Sequence, residues 1–365
     1  MKIALAICGL VLFSCSPSHA SIVTSPSPHV SALPTSSPSG VFPDLPVSKV
    51  DFSCRLPVAT TTDSGGSLNF QGGFIAFPAA RLAVDPAGAM HYRNVETNFA
   101  TTATPVLYGD GGYPFYDRAR SRWVPAPAHQ ALADGSAYAY IGYNSQTGAY
   151  TAFVVDVATG TSRSFNVSSI TFPQVADFAA AGVYIISGSG LGGPGEGVWL
   201  LDPTTGTIKN LGPIHKVWAV RDGFAWVARL DPRDKTVWGP TELAPADSLV
   251  RVDLATGAET IWWYEAGQYP WLIGLDSTNR PLLLLGISST GSEIRLIDQP
   301  GSPGALVFTG NTSGLDYLQG DGDRLWFGHA RGIYLYRPGR GFQRVFAYAG
   351  DPSTSNRIEP AGFCR

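Results

Sequence analysis

The residues able to do chemistry are few and scattered. Of six histidines, His19 and His29 fall near the N-terminus, while His91, His129, His215 and His329 are dispersed with no pair at metal-ligand spacing, so no metal site is expected. Gly188-Ser189-Gly190-Leu191-Gly192-Gly193 is glycine-rich like a phosphate-binding loop, but it has neither the helix that should follow nor the lysine of a P-loop, and it reads as a plain loop. Asp110-Gly111-Gly112 and Asp321-Gly322-Asp323 lack the further carboxylates of a calcium loop and read as turns. No Gly-x-Ser-x-Gly elbow occurs. What is left is a set of polar and aromatic residues: His215, Lys216, Trp238, Glu242, Tyr269, Trp271 and Glu359. Brought together, His215 and Glu359 would suit acid-base work, and the aromatic rings would offer surfaces for a ligand or partner. Their spacing alone does not bring them together, so the elements that carry them decide what they do.

Those elements are strands. The 365 residues are 44% hydrophobic and only 15% charged, with 42 Gly and 28 Pro, which suits a large ordered β protein rather than a disordered chain. The formal charge of -3 excludes the basic stripe of a nucleic-acid binder. Val155-Asp156-Val157-Ala158-Thr159-Gly160, Leu201-Asp202-Pro203-Thr204-Thr205-Gly206 and Val252-Asp253-Leu254-Ala255-Thr256-Gly257 each join two apolar runs. In each, the Asp side chain caps the amides of the turn and the Gly takes the left-handed position that closes the hairpin. Weaker copies start at Asp117, Asp298 and Arg337, so the unit recurs every 39 to 51 residues. Ahead of several of these turns lies a second hairpin, as at Asp134-Gly135, Asp222-Gly223 and Asp321-Gly322. Two hairpins per repeat at this period make one four-stranded propeller blade, and no helix-period segment of useful length interrupts them. The expectation is an all-β propeller of seven blades with four antiparallel strands each, six blades with an elaborated first one being the alternative. The seventh would join the segment after Cys54 to the last residues before Cys364, closing the ring and removing its exposed edges. Trp218, Trp226 and Trp326 fall inside strands and are expected in the core between blades.

The N-terminus carries an address. Met1-Lys2 precedes the apolar or small run from Ile3 to Ser14, the length of a signal-peptide core and too short for a permanent membrane span. Leu12-Phe13-Ser14-Cys15 resembles a bacterial lipoprotein box in which Cys15 is lipidated, and Ser18-His19-Ala20 is a competing cleavage site. The division expected is a signal over 1–20, a disordered Ser/Pro-rich tether over 21–48 and the propeller domain over 49–365. Cys8 lies in the signal and Cys15 is removed or lipidated, which leaves Cys54 and Cys364; in an exported protein these two most simply pair.

In a four-stranded blade, the connections from second to third strand and from blade to blade open on one face, opposite the Asp-x-x-Thr-Gly hairpins. The longest such loop, Asp231 to Asp247, contains Trp238 and Glu242, and a second runs from Ser187 to Gly197. His129, His215, Lys216, Tyr269, Trp271 and Glu359 fall near the starts of inner strands, where side chains reach a central funnel. Loops of this length favour ligand or partner contact. The Val-Asp-x-Ala-Thr-Gly turns at Asp156 and Asp253 resemble those of bacterial secreted propellers of the broad YVTN, TolB-like and quinoprotein-like groups, over most of residues 50 to 364. The resemblance implies the fold and not a function. Quinoprotein dehydrogenases place a tryptophan shortly after each Thr-Gly; here only Trp262 and Trp263 come near that position, so no quinone or other cofactor is expected. The function expected is that of an exported, lipid-anchored or secreted monomer, acting as a binding or interaction scaffold at the cell envelope for a protein, peptide or glycan. Nucleic acid is not an expected partner, and a membrane is one only through the lipid anchor. The alternative is an extracellular propeller enzyme, a lyase or hydrolase, with its site in the funnel.

Overall fold

The computed structural model describes residues 42–64, 67–92, 106–107, 113–144, 146–188, 196–212, 214–229, 246–288, 291–350 and 356–364, all within the compact unit Ser37–Arg365. The signal segment with Cys15, the tether up to residue 41, Trp238 and Glu242 lie outside these residues.

From the N-terminus, β1 (Cys54–Ser64), β2 (Ser67–Phe77) and β3 (Arg81–Tyr92) form a long antiparallel meander, and the short β4 (Val106–Leu107) runs parallel to the end of β3. β5 (Phe115–Asp117) and β6 (Arg122–Val124) make a two-stranded hairpin. After a 3-10 turn at Ala128–Gln130 come β7 (Ala137–Asn144), β8 (Ala149–Asp156) and β9 (Ser162–Asn166), a three-stranded sheet extended by the bridge between Ala131 and Tyr138. Three four-stranded antiparallel sheets follow. They are β10 (Pro173–Ala179) to β11 (Gly182–Ser187), β12 (Glu196–Leu201) and β13 (Ile208–Asn210); β14 (Val217–Arg221) to β15 (Phe224–Arg229), β16 (Ser248–Asp253) and β17 (Glu259–Tyr264); and β18 (Trp271–Leu275) to β19 (Pro281–Ser288), β20 (Gly291–Leu296) and β21 (Ala305–Gly310). β22 (Asp316–Asp321), β23 (Arg324–His329), β24 (Gly332–Arg337) and β25 (Gly341–Ala347) repeat the plan, and β26 (Ile358–Pro360) returns to pair with β1 and to touch β23.

The turns form as their residues dictate. At Asp156 the carboxylate accepts the Thr159 amide at 2.8 Å, the Asp156 carbonyl accepts the Gly160 amide at 2.9 Å, and Gly160 sits at φ 69°. The Asp202 and Asp253 carboxylates accept the amides two residues on, Thr204 and Ala255, Asp253 also accepting Thr256, and their carbonyls accept the Gly206 and Gly257 amides. These bonds to the charged carboxylate hold all three aspartates below the ordinary carboxylate range. Asp117 makes an equivalent bond to the Ala119 amide at 2.9 Å, yet it joins β5 to β6 rather than the outer strands of a four-stranded sheet. An Asx-capped turn marks a hairpin and carries no information about which hairpin of a sheet it is.

Apolar packing follows the sheets. Trp226 and Trp326 are fully buried, as their strand positions predict. One core cluster joins Leu56, Val58 and Ile75 of the N-terminal meander to Trp326, Ile333 and Leu335 of β23 and β24, with Ile358 and Cys364 of the C-terminal segment among them. The disulfide between Cys54 and Cys364, with Cα atoms 5.5 Å apart, lies in this cluster. The β5–β6 hairpin is wedged between two sheets: Trp123 packs with Phe70, Phe74 and Met90 of the meander, and Val124 packs with Ala126 and Ala131 ahead of β7.

Candidate functional site

Strands β10, β14, β18 and β22 each break register once, between Val175 and Asp177, Val217 and Ala219, Leu272 and Gly274, and Tyr317 and Gln319. A bulge leaves one residue without a cross-strand partner and turns its side chain to a new direction. In the first three strands that residue is Ala176, Trp218 or Ile273, and all three line a single cavity of about 390 Å³. This lies within the size range of small-molecule sites, roughly 300–1,000 Å³. Ala128, Ala219, Gly274 and Ala361 contribute small side chains to the wall around these positions. Tyr113 and Phe115 close another side, and His129, Gln174 and Arg221 supply polar groups.

Trp218 packs against the core cluster of Trp226, Leu249, Trp263 and Leu272, in keeping with its place in a strand, but it is only half-buried and also lines the cavity. Its ring lies 4.6 Å from Trp271 and 6.4 Å from Tyr269, which are 6.5 Å from each other. Trp271 is 36% exposed, so the trio runs from cavity wall to surface. The Trp218 Nε1 group is buried without a hydrogen-bond partner among the described residues. His215 and Lys216 precede β14 directly, at the end where Trp218 sits. His215 is exposed and its carbonyl accepts Arg229 Nη1 at 2.8 Å; Lys216 is held at φ 55° with its carbonyl accepting the Ala228 amide at 3.0 Å. The structure thus brings Tyr269 and Trp271 together and places His215 and Lys216 at the head of the neighbouring strand.

Glu359 stands apart from them. It is fully buried in β26, against Gly328 of β23, and does not line the cavity. Arg357 bonds Asp316 and lies 3.8 Å from Glu359 Oε1, and Tyr113, on the cavity wall, is electrostatically coupled to both Arg357 and Glu359. Burial first, and then the Asp316 charge, push Glu359 well above the usual carboxylate range against the pull of Arg357. Asp316 is raised by burial, again opposed by Arg357, and burial together with the Glu359 charge raises Tyr113. Two carboxyl groups beside one guanidinium favour keeping a proton between them. Among the described residues, no group of three or more His, Cys, Asp or Glu side chains is placed to hold a metal ion.

Sequence reasoning missed Tyr113, Trp218 and Arg221 on the wall and Asp316 and Arg357 behind it. The sequence offers no signal for Trp218: Val217-Trp218-Ala219-Val220 is apolar throughout, with no alternation from which the bulge could be read.

Comparison of the sequence with protein-family models and with curated proteins finds no match. In fold the chain resembles solved β-propeller proteins. One is the β-propeller domain of the Trilobed protease from Pyrococcus furiosus, at 11% identity and TM-score 0.37, with 58% of this chain and 68% of that one covered. TolB from Acinetobacter baumannii shares 10% identity at TM-score 0.37 over 83% of this chain and 63% of its own, just under two thirds of its length. An oligogalacturonate lyase solved with manganese shares 10% identity at TM-score 0.38, over 76% of each chain.

Proposed function

We propose that the chain is an exported propeller that serves as a binding scaffold at the cell envelope, taking a peptide, protein or glycan ligand at the mouth of its axial cavity. In this reading the ring has seven blades. β26 with β1, β2 and β3 forms the blade that joins the two ends, β5–β6 is a blade reduced to two strands, and the five sheets from β7 to β25 supply the rest. The buried Cys54–Cys364 bridge fits an oxidising compartment, and Cys15 is the attachment point of a lipid anchor.

The observation that carries the reading is the cavity with its aromatic mouth. An apolar pocket fringed by Trp218, Tyr269 and Trp271, with Lys216 and His215 beside it, has the make-up of a contact surface. The acid-base alternative needs His215 and Glu359 to converge; one is exposed and the other fully buried, which favours binding over catalysis.

The test is to probe peptide and glycan arrays with the intact protein and its Trp218→Ala and Trp271→Ala variants. Truncating an aromatic anchor costs about 2 kcal/mol or more, roughly thirtyfold in Kd. Array binding that neither variant weakens would place the ligand elsewhere and overturn the reading.

A further inference from the structure

The cavity has one cationic end. Among its lining residues Arg221 is the single Lys or Arg, and no Asp or Glu is found among the described lining residues. Trp218 and Arg221 stand three residues apart on β14, about 10 Å at roughly 3.3 Å per residue. Between them the wall is Ala219 and Val220, faced by Val175, Ile273 and Leu275. A ligand that fills this space carries an apolar body of about that length and meets a guanidinium at one end.

We infer that the axial cavity accepts a carboxylate borne on an apolar body, with Arg221 as its counter-ion and Asp177 as a competing anion behind it. The inference rests on the binding-scaffold reading and names the chemistry of its ligand. Arg221 Nη1 lies 3.7 Å from Asp177 Oδ1, beyond hydrogen-bonding range, so the pair does not use up the donors of the guanidinium fork. Asp177 is buried, its Oδ2 accepting the Asp222 amide at 3.2 Å. The titratable groups around it are Arg221 and Asp222 from the end of β14 and Tyr184 from β11. Burial, opposed by Arg221, raises Asp177 to about 6. Below that pH Asp177 is neutral and Arg221 loses its counter-charge, whereas an ordinary ligand carboxylate, near pKa ~4, stays ionised. If the ligand binds only when Asp177 is protonated, the competent fraction is about 0.9 at pH 5 and about 0.1 at pH 7, and the acid binds about tenfold tighter at the lower pH.

The source of the carboxylate is either a free organic acid or the C-terminus of a peptide, and defined probes separate them. Calorimetry with the intact protein at pH 5 to 8 would compare N-acetyl-phenylalanine and N-acetyl-Ala-Ala-Phe, each as the free acid and as the amide. Expected are free acids bound at least tenfold tighter than amides at pH 5 and about tenfold tighter at pH 5 than at pH 7. A stronger response to the tripeptide assigns the source to a chain end, and a stronger response to the amino acid to a free acid. Arg221→Gln should abolish the preference for acid over amide while keeping amide binding. Asp177→Asn should bind at pH 7 as the parent does at pH 5, and His129→Gln, which removes the one histidine among the described lining residues, should keep the pH step. If Asp177→Asn does not fold, the Arg221→Gln comparison alone decides. Acid and amide bound equally would overturn the carboxylate inference while leaving the cavity a binding site. Probes that fail to bind in either form at millimolar concentration would overturn both.

Discussion

Replacing Cys54 and Cys364 together by alanine tests how the two ends of the chain are fastened. The C-terminal strand is short: Ile358, Glu359 and Pro360 pair with Thr60, Ala59 and Val58, and a single pair, His329 with Ile358, reaches the other neighbour. A few flanking bonds add to this, including the Ala361 amide to Pro57 and the Cys364 amide to Asp321 Oδ2 at 3.2 Å. A three-residue strand held by so few bonds frays easily, and its loss would uncover Leu56, Val58 and Trp326. The bridge spans 310 residues. Closing so long a loop is worth about 5–6 kcal/mol in the chain-entropy model, and native bridges deliver about 2–5 kcal/mol in practice, so a loss of about 2–5 kcal/mol is expected. Urea unfolding followed by tryptophan fluorescence and far-UV circular dichroism together would measure it, coincident transitions validating the free energy. Parent protein in reductant is the control: it should match the double variant, whereas a variant weaker than the reduced parent would assign part of the loss to packing of the sulfurs. A loss below about 1 kcal/mol, with unchanged denaturant dependence, would refute the argument that the bridge holds the ends together.

Two further outcomes are expected. Burial raises Glu359 above its unfolded value of about 4.3, so the folded chain holds a proton that the unfolded chain releases; stability is full below about pH 4.3 and falls as pH rises toward the folded value, by up to about 1.4 kcal/mol per pH unit. Glu359→Gln keeps the shape and cannot ionise, so it should gain stability over the parent at pH 8 and lose that advantage near pH 4; denaturation curves in which the two fall in parallel with pH would show that Glu359 is not the group responsible. Cys15→Ala should move the protein from the membrane pellet to the soluble fraction and remove labelled fatty acid; an unchanged distribution would favour cleavage after Ala20.

What the sequence made legible is what local chemistry encodes. The Asp-capped turns at Asp156, Asp202 and Asp253 bond as their residue types require, and Cys54 and Cys364 meet where β1 and the C-terminal strand β26 pair. The cavity was not legible, because it depends on one-residue breaks in pairing. Trp271-Leu272-Ile273-Gly274-Leu275 is apolar throughout, and an apolar run has no alternation from which a slipped register could be read. Glu359 shows the same limit from the other side. Near the start of an inner strand, a glutamate reads as a group reaching into the funnel, but pairing of β26 with β1 seats it against Gly328, a residue 31 positions away whose lack of a side chain makes the room. Tyr113 touches both settings: it lines the cavity, and burial and the nearby Glu359 charge, opposed by Arg357, raise its hydroxyl, so the wall of the cavity and the buried carboxyl pair share one electrostatic environment that pairing of β26 with β1, and not local sequence, creates.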